Sequence, residues 1–186
     1  MSESPTFLVA APTLDCGYFA GTLVLLVDHD AEGSFGFVVN RASALELPSI
    51  LQELGLPGSE ASESVAVLRG GPVSPETGWV LFERTGAPFV PEDVLAVGPN
   101  VGVTASVDML QAISRGDAPA RSMLALGYAG WGPGQLEDEL REGSWIPVDM
   151  DLETLFEVPF DDRWSHALAC LGIDPRRVVA SGGAKA

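Results

Sequence analysis

Apolar positions along this chain change period several times, and each change marks an element. Phe7–Ala11 and Thr22–Val27 are short continuous apolar runs that read as buried strands joined by a loop at Pro12–Gly21. Asp28 to Ser34 supplies turn chemistry before a third β-rich run at Phe35–Asn40, so Thr22–Asn40 reads as a hairpin. The spacing then becomes helical: Leu47, Ile50, Leu51 and Leu54 recur on one face, and Gly55 ends the run. After a polar spacer at Pro57–Ser64, Val65–Leu68 and Gly78–Phe82 read as strands linked by a Gly-Gly-Pro corner. A strand pair follows at Val94–Thr104, broken at Gly98-Pro99-Asn100. Ser106 caps a helix at Val107–Ser114 whose stripe is Met109, Leu110 and Ile113. Arg121–Tyr128 is a strand, Pro133–Arg141 a short helix, Trp145–Val148 a strand, and Asp161–Leu171 the last helix, ended by Gly172 with Pro175 beyond.

Strands cluster early and helices are inserted singly, without regular βαβ alternation. That pattern predicts an α+β fold on a curved, mostly antiparallel sheet with about four helices. The 186 residues suit one domain with no internal repeat, and a small, polar tail from about Ser181 that frays. With 46% hydrophobic and 19% charged residues, the composition is that of an ordinary globular protein with a core of its own.

Charge narrows the function classes. Asp and Glu number 26 against 10 Lys and Arg, a formal net charge of −16. There is no basic run to neutralise phosphates, so neither nucleic acid nor an anionic membrane is an expected partner. No segment reaches the ~18 apolar residues of a membrane span, and the N-terminus lacks the cationic region of a signal peptide. Cys16 and Cys170 are too few and too distant to suggest a disulfide framework. The expected location is the cytoplasm.

Familiar catalytic motifs are missing: no phosphate-binding Gly-rich loop, no dinucleotide fingerprint. Ser34 in Glu32-Gly33-Ser34-Phe35-Gly36 superficially suggests a nucleophile elbow, but Glu32 replaces the first glycine and the context is a hairpin. Asp28-His29-Asp30 is the one local cluster suited to acid–base work or a divalent ion, and a polar hairpin turn is the favoured explanation of it. His166 lies mid-helix as a packed or surface residue, and no metal-ligand spacing links it to His29 or to either cysteine. Cys16 could be a reactive thiol, but no cation lies near it in sequence. Cys170, beside Ala167 and Leu171, reads as a small core residue. Neither a cofactor nor a metal is expected.

Residues 127–140, GYAGWGPGQLEDEL, crowd four glycines and one proline around an aromatic pair before the chain turns acidic. Pro133 at a first helical position followed by Glu137, Asp138 and Glu139 is a helix entrance whose carboxylates complement the dipole. Leu136 and Leu140 face inward at helical spacing. Gly127 and Gly130, beside Tyr128 and Trp131, let two backbone segments approach while the aromatics close a groove or a packed corner.

Taken in order, FLVAAPTLD, LVLLVDHDAEGSFGFVVNR, the Gly70-Gly71-Pro72-Val73 corner, the Thr104–Gly116 helix, LALGYAGWGPGQLEDEL and DDRWSHALACLGID resemble the AlgH/YqgE family of small bacterial proteins, over Phe7 to about Pro175. This chain carries Ala42 where the family commonly has proline, and Cys16-Gly17 where members have another short linker. The resemblance implies a compact α+β fold with the sheet closing into a pseudo-barrel flanked by helices. It implies no established reaction.

The expected function is non-catalytic binding of a partner protein or small ligand in the cytoplasm, possible regulation included. The alternative is a hydrolase-like enzyme using Asp28 and His29 or the acids after Trp131. A functional groove is expected where Asn40 and Arg41, Gly70, Gly71 and Pro72, and Tyr128, Trp131 and Gln135 converge, each at a predicted strand end. Arg41 stands out as one of few cations; its structural role would be a salt bridge to Glu137 or Glu139.

Overall fold

Both opening apolar runs become strands, and the structure, a computed structural model, describes residues 5–15 and 17–174. In chain order the described strands are β1 (Thr6–Ala10), β2 (Leu23–Asp30), β3 (Gly33–Val38), β4 (Ala66–Arg69), β5 (Val73–Glu83), β6 (Leu95–Val97), β7 (Val101–Thr104), β8 (Ser122–Trp131) and β9 (Trp145–Asp149). The helices are α1 (Leu47–Glu53), α2 (Glu60–Glu63), α3 (Val107–Ser114), α4 (Gln135–Arg141), α5 (Leu152–Phe156) and α6 (Phe160–Cys170). The α+β class and the mostly antiparallel pairing hold; one pair, β4 with β8, is parallel. The described residues group into two compact units, Ala42–Tyr128 and the described residues up to Arg41 together with those from Ala129 onward.

In the Ala42–Tyr128 unit, β5 pairs antiparallel with β7 and with β8, and β6 pairs with β7. Leu47 and Leu51 of α1, Met109 and Ile113 of α3, and Phe82 and Leu124 of the sheet share one core cluster. Burying each such side chain contributes about 1.5–3 kcal/mol before entropy is counted. Ser106 caps α3, accepting the Asp108 N–H at 3.2 Å. Leu54 departs from its expected place on the stripe of α1: it is the C-cap residue and is exposed. The expected polar spacer contains α2, which Ser59 starts through a capping box with Ser62. Four residues present no period to read, so this helix is set by its cap and by the Ser59 hydroxyl donating to Ile113 O at 2.8 Å.

The other unit is built on β1, which pairs antiparallel with β2 on one side and β9 on the other, while β3 joins β2 to the last residues of β8. Leu8, Val24, Val38, Trp131, Leu136 and Trp145 lie in its core cluster. The expected hairpin forms, but its turn is shorter than Asp28 to Ser34. The ladder shifts register between Leu26 and Asp28 and then continues to Asp30↔Gly33. This bulge puts His29 directly opposite Ser34. α5 was not expected; Asp151 caps it, accepting from Thr154 N–H at 2.7 Å. The helix expected from Pro133 begins two residues later, at Gln135, with Gly134 as N-cap at φ 74°. Among the described residues no helix is long and apolar enough to cross a membrane.

Candidate functional site

Asn40 and Arg41 follow β3 and hold the end of the 12–21 loop. The Asn40 carbonyl oxygen accepts the Leu23 N–H at 2.8 Å and its amide donates to Gly21 O at 2.9 Å. Arg41 Nη2 donates to Ala20 O at 2.9 Å, and the guanidinium lies 5.1 Å from the Tyr18 ring centroid. The contacts made by Arg41 are thus a backbone carbonyl and an aromatic face, in place of the salt bridge to α4 expected in its structural role. The amide of Asn40 satisfies two backbone groups at the end of that loop, and Thr22 holds Phe19 O through its N–H and its hydroxyl.

Phe19 then covers the indoles. Its ring stacks on Trp131 with centroids 6.2 Å apart and meets Trp145 edge-on at 5.5 Å, and the two tryptophans pack edge-to-face at 5.8 Å. Trp131 and Trp145 are buried, and both indole N–H groups donate to one oxygen of Glu139, at 2.8 and 2.7 Å. The other Glu139 oxygen accepts from Gln135 Nε2 at 2.9 Å, and Gln135 Oε1 accepts the Gly132 N–H at 3.0 Å. Sequence reading assigned Glu139 to the helix dipole. Its side chain instead satisfies two buried donors, which no local pattern announces. Asn40, Arg41, Trp131 and Gln135 therefore belong to one connected array through Tyr18, Phe19 and Glu139.

On the same helix, Glu137 Oε1 lies 3.8 Å from His29 Nε2. The other ring nitrogen, Nδ1, is 2.6 Å from the Ser34 hydroxyl. His29 and Glu137 are partly exposed, at 40% and 38%, whereas Ser34 is recessed at 9%. Asp28 turns back, its Oδ1 accepting the His29 N–H at 2.9 Å, and Asp30 Oδ1 accepts the Glu32 N–H at 2.8 Å. These two carboxylates make turn contacts, as the polar-turn reading had it. Ser34 lies within a strand and not on an elbow.

Gly70, Gly71, Pro72 and Tyr128 fall in the Ala42–Tyr128 unit, where Pro72 is exposed and the other three have a packing account. Tyr128 pairs with Val73, and the Gly70 N–H donates to Leu126 O at 2.8 Å. Gly127 has φ 71°, and a Cβ on it would lie 2.5 Å from Gly71 O and 2.8 Å from Val73 O. Only glycine permits that approach of backbone to backbone.

Three further sequence expectations meet the structure. Cys170 is exposed, not core, because the inward stripe of α6 runs through Arg163, Ala167 and Leu168. His166 is half-buried, in a shallow groove on α6 with Asp162 and Ser165. Cys16 lies outside the described residues. Sequence reading missed Arg163. Its Nη1 donates to Val39 O at 2.6 Å and its Nε to Val158 O at 2.8 Å, with the guanidinium 4.4 Å from the Phe160 ring centroid. Burial lowers the Arg163 guanidinium to about 10. Among the described residues no group of three His, Cys, Asp or Glu is placed to hold a metal ion.

The AlgH-like family matches residues 7–176 of this chain. A protein from Anaeromyxobacter sp. (strain K) carrying the name UPF0301 is 41% identical over 185 residues, covering 97% of this chain and 93% of its own length. A UPF0301 protein of Saccharophagus degradans is 40% identical over 177 residues, covering 95% and 86%. The solution structure of AlgH from Pseudomonas aeruginosa superposes with a TM-score of 0.75 at 32% identity, covering 99% of this chain and 94% of that one. A crystal structure of a Corynebacterium diphtheriae protein shares the fold, with a TM-score of 0.70 at 22% identity and coverage of 90% and 86%. The chain belongs to the AlgH-like family.

Proposed function

We propose that this chain is a cytoplasmic, non-catalytic binding protein, and that it recognises a partner protein or small ligand through the Tyr18–Arg41 face. The observation that carries this reading is the guanidinium laid over the partly exposed Tyr18 ring. Arg41 engages one backbone carbonyl, Ala20 O, which leaves most of its N–H fork for an incoming carboxylate or carbonyl. Tyrosine and arginine held in a fixed geometry bind with little further loss of side-chain entropy, which is why they dominate the energetics of interfaces. The remaining residues of the array are engaged internally and serve to hold this face. The net charge of −16 supports a partner other than nucleic acid or an anionic membrane.

The test compares the wild type with Tyr18→Ser and Arg41→Gln in affinity capture from native cell lysate and in a thermal-shift screen of metabolites. A partner or ligand held by the wild type and lost from both variants, with their own melting midpoints kept, is the expected result. Undiminished binding by both variants refutes the assignment of this face. The hydrolase-like alternative has one observation in its favour: His29 stands between the Ser34 hydroxyl and the Glu137 carboxylate.

A further inference from the structure

We propose that Ser34 is an acyl-accepting nucleophile, with His29 as its base and Glu137 as the group that orients His29. The inference rests on the hydrolase-like alternative, in place of the non-catalytic reading, and gives it a substrate class: small, uncharged activated acyl donors, esters or thioesters.

The geometry is that of a relay through one imidazole. His29 Nδ1 is 2.6 Å from Ser34 Oγ, and Glu137 Oε1 faces the opposite ring nitrogen at 3.8 Å. A carboxylate on the Nε2 side favours the tautomer protonated at Nε2, which presents the Nδ1 lone pair to the hydroxyl proton. The three side chains come from β2, β3 and α4, so the arrangement is fixed by tertiary structure. Two backbone features hold it. The register shift after Leu26 sets His29 opposite Ser34, and Gly33 packs so closely on Trp131 O that a Cβ there would lie 2.6 Å away.

In the step, Ser34 Oγ forms a bond to the donor carbonyl carbon while its proton passes to His29 Nδ1. The bond from that carbon to the alkoxide or thiolate leaving group breaks, and His29 returns the proton to the departing alcohol or thiol. The product is O-acyl-Ser34. The Ser34 hydroxyl is recessed, at 9% exposure, beside a histidine whose side chain is 40% exposed, which limits the donor to a small acyl group. Asp28 and Asp30 flank His29 on β2, Glu32 lies in the following turn and Glu137 is 3.8 Å from the imidazole, so anionic donors are disfavoured by repulsion.

The experiment treats the full chain with p-nitrophenyl acetate and, separately, with acetyl phosphate, followed by intact-mass measurement and peptide mapping. Expected is one acetyl group at Ser34 from the neutral ester and none from the anionic donor. Ser34→Ala abolishes that adduct, and His29→Gln slows its formation roughly a hundredfold, the usual worth of a positioned base. Glu137→Gln slows it by a smaller factor; melting midpoints confirm that each variant is folded. Acetylation of Ser34 no faster than that of Ser106, or unchanged in His29→Gln, overturns the proposal. Release of p-nitrophenolate beyond one equivalent supports turnover. A burst of one equivalent that then stops leaves Ser34 as an acylation site and removes the hydrolase-like reading.

Discussion

Replacing Glu139 tests whether one carboxylate holds the aromatic array. In Glu139→Ala, the indole N–H groups of Trp131 and Trp145 lose their shared acceptor, and Gln135 loses the oxygen 2.9 Å from its amide. The tryptophans are only 6% and 3% exposed, so their donors have little access to water. Stranding a buried donor costs about 1–3 kcal/mol, which for two gives roughly 2–6 kcal/mol. Glu139 itself is half-buried, and water entering in its place offsets part of this, leaving about 3 kcal/mol. Glu139→Gln separates the contributions. Its single carbonyl oxygen has two lone pairs and can accept both indoles, but its amide then faces the Gln135 amide, for a loss of about 1 kcal/mol. Urea unfolding followed by far-UV circular dichroism measures both variants, and for a chain of this length 3 kcal/mol corresponds to roughly 6–12 °C in melting midpoint. A loss below 1 kcal/mol in Glu139→Ala, or equal losses in the two variants, refutes the reasoning.

Two further predictions concern backbone and charge. Gly127→Ala meets backbone oxygens at 2.5 and 2.8 Å in a left-handed conformation, whereas Gly134→Ala meets nothing within 4 Å at a similar φ. Thermal unfolding is expected to show about 1 kcal/mol lost at Gly134, the left-handed strain alone, and upwards of 3 kcal/mol at Gly127; equal losses would falsify the close-approach account. Arg163→Met leaves the Val39 and Val158 carbonyls without their donor and costs about 3 kcal/mol. Burial lowers the Arg163 guanidinium to about 10, so the unfolded chain binds more protons only above that pH, and stability from this group rises with pH only there. The pH dependence of stability between 5 and 9 is therefore expected to be the same in Arg163→Met and wild type, and a changed slope in that window counts against the assignment.

Signals confined to a few neighbouring residues were legible in the sequence. The apolar runs gave β1 and β2, the Ser106 cap gave α3, and Gly55 and Gly172 ended α1 and α6 with φ of 73° at each. Each depends on propensity or capping that acts within one turn, so no knowledge of the rest of the chain was needed. The short helices α2 and α5 escaped because four or five residues carry no period, and their caps resemble loop chemistry. Asn40 and Arg41 stand out in the sequence, but their contacts reach back across the hairpin to Leu23, Gly21 and Ala20 and could not be read from it. The meeting of His29 with Ser34 followed from a register shift that moves every later residue of the ladder to a new partner. Arg163 was unreadable because its place on the inward stripe of α6 depends on Val39 O, 124 residues away in the chain, as well as on the nearby Val158 O. The sequence by itself determined which stretches are apolar, where helices stop and which family the chain resembles. Tertiary structure decided which distant polar groups satisfy one another, because a hydrogen bond needs its partners within about 3 Å and only the folded backbone brings His29 to Ser34 and Glu139 to Trp131 and Trp145 that close.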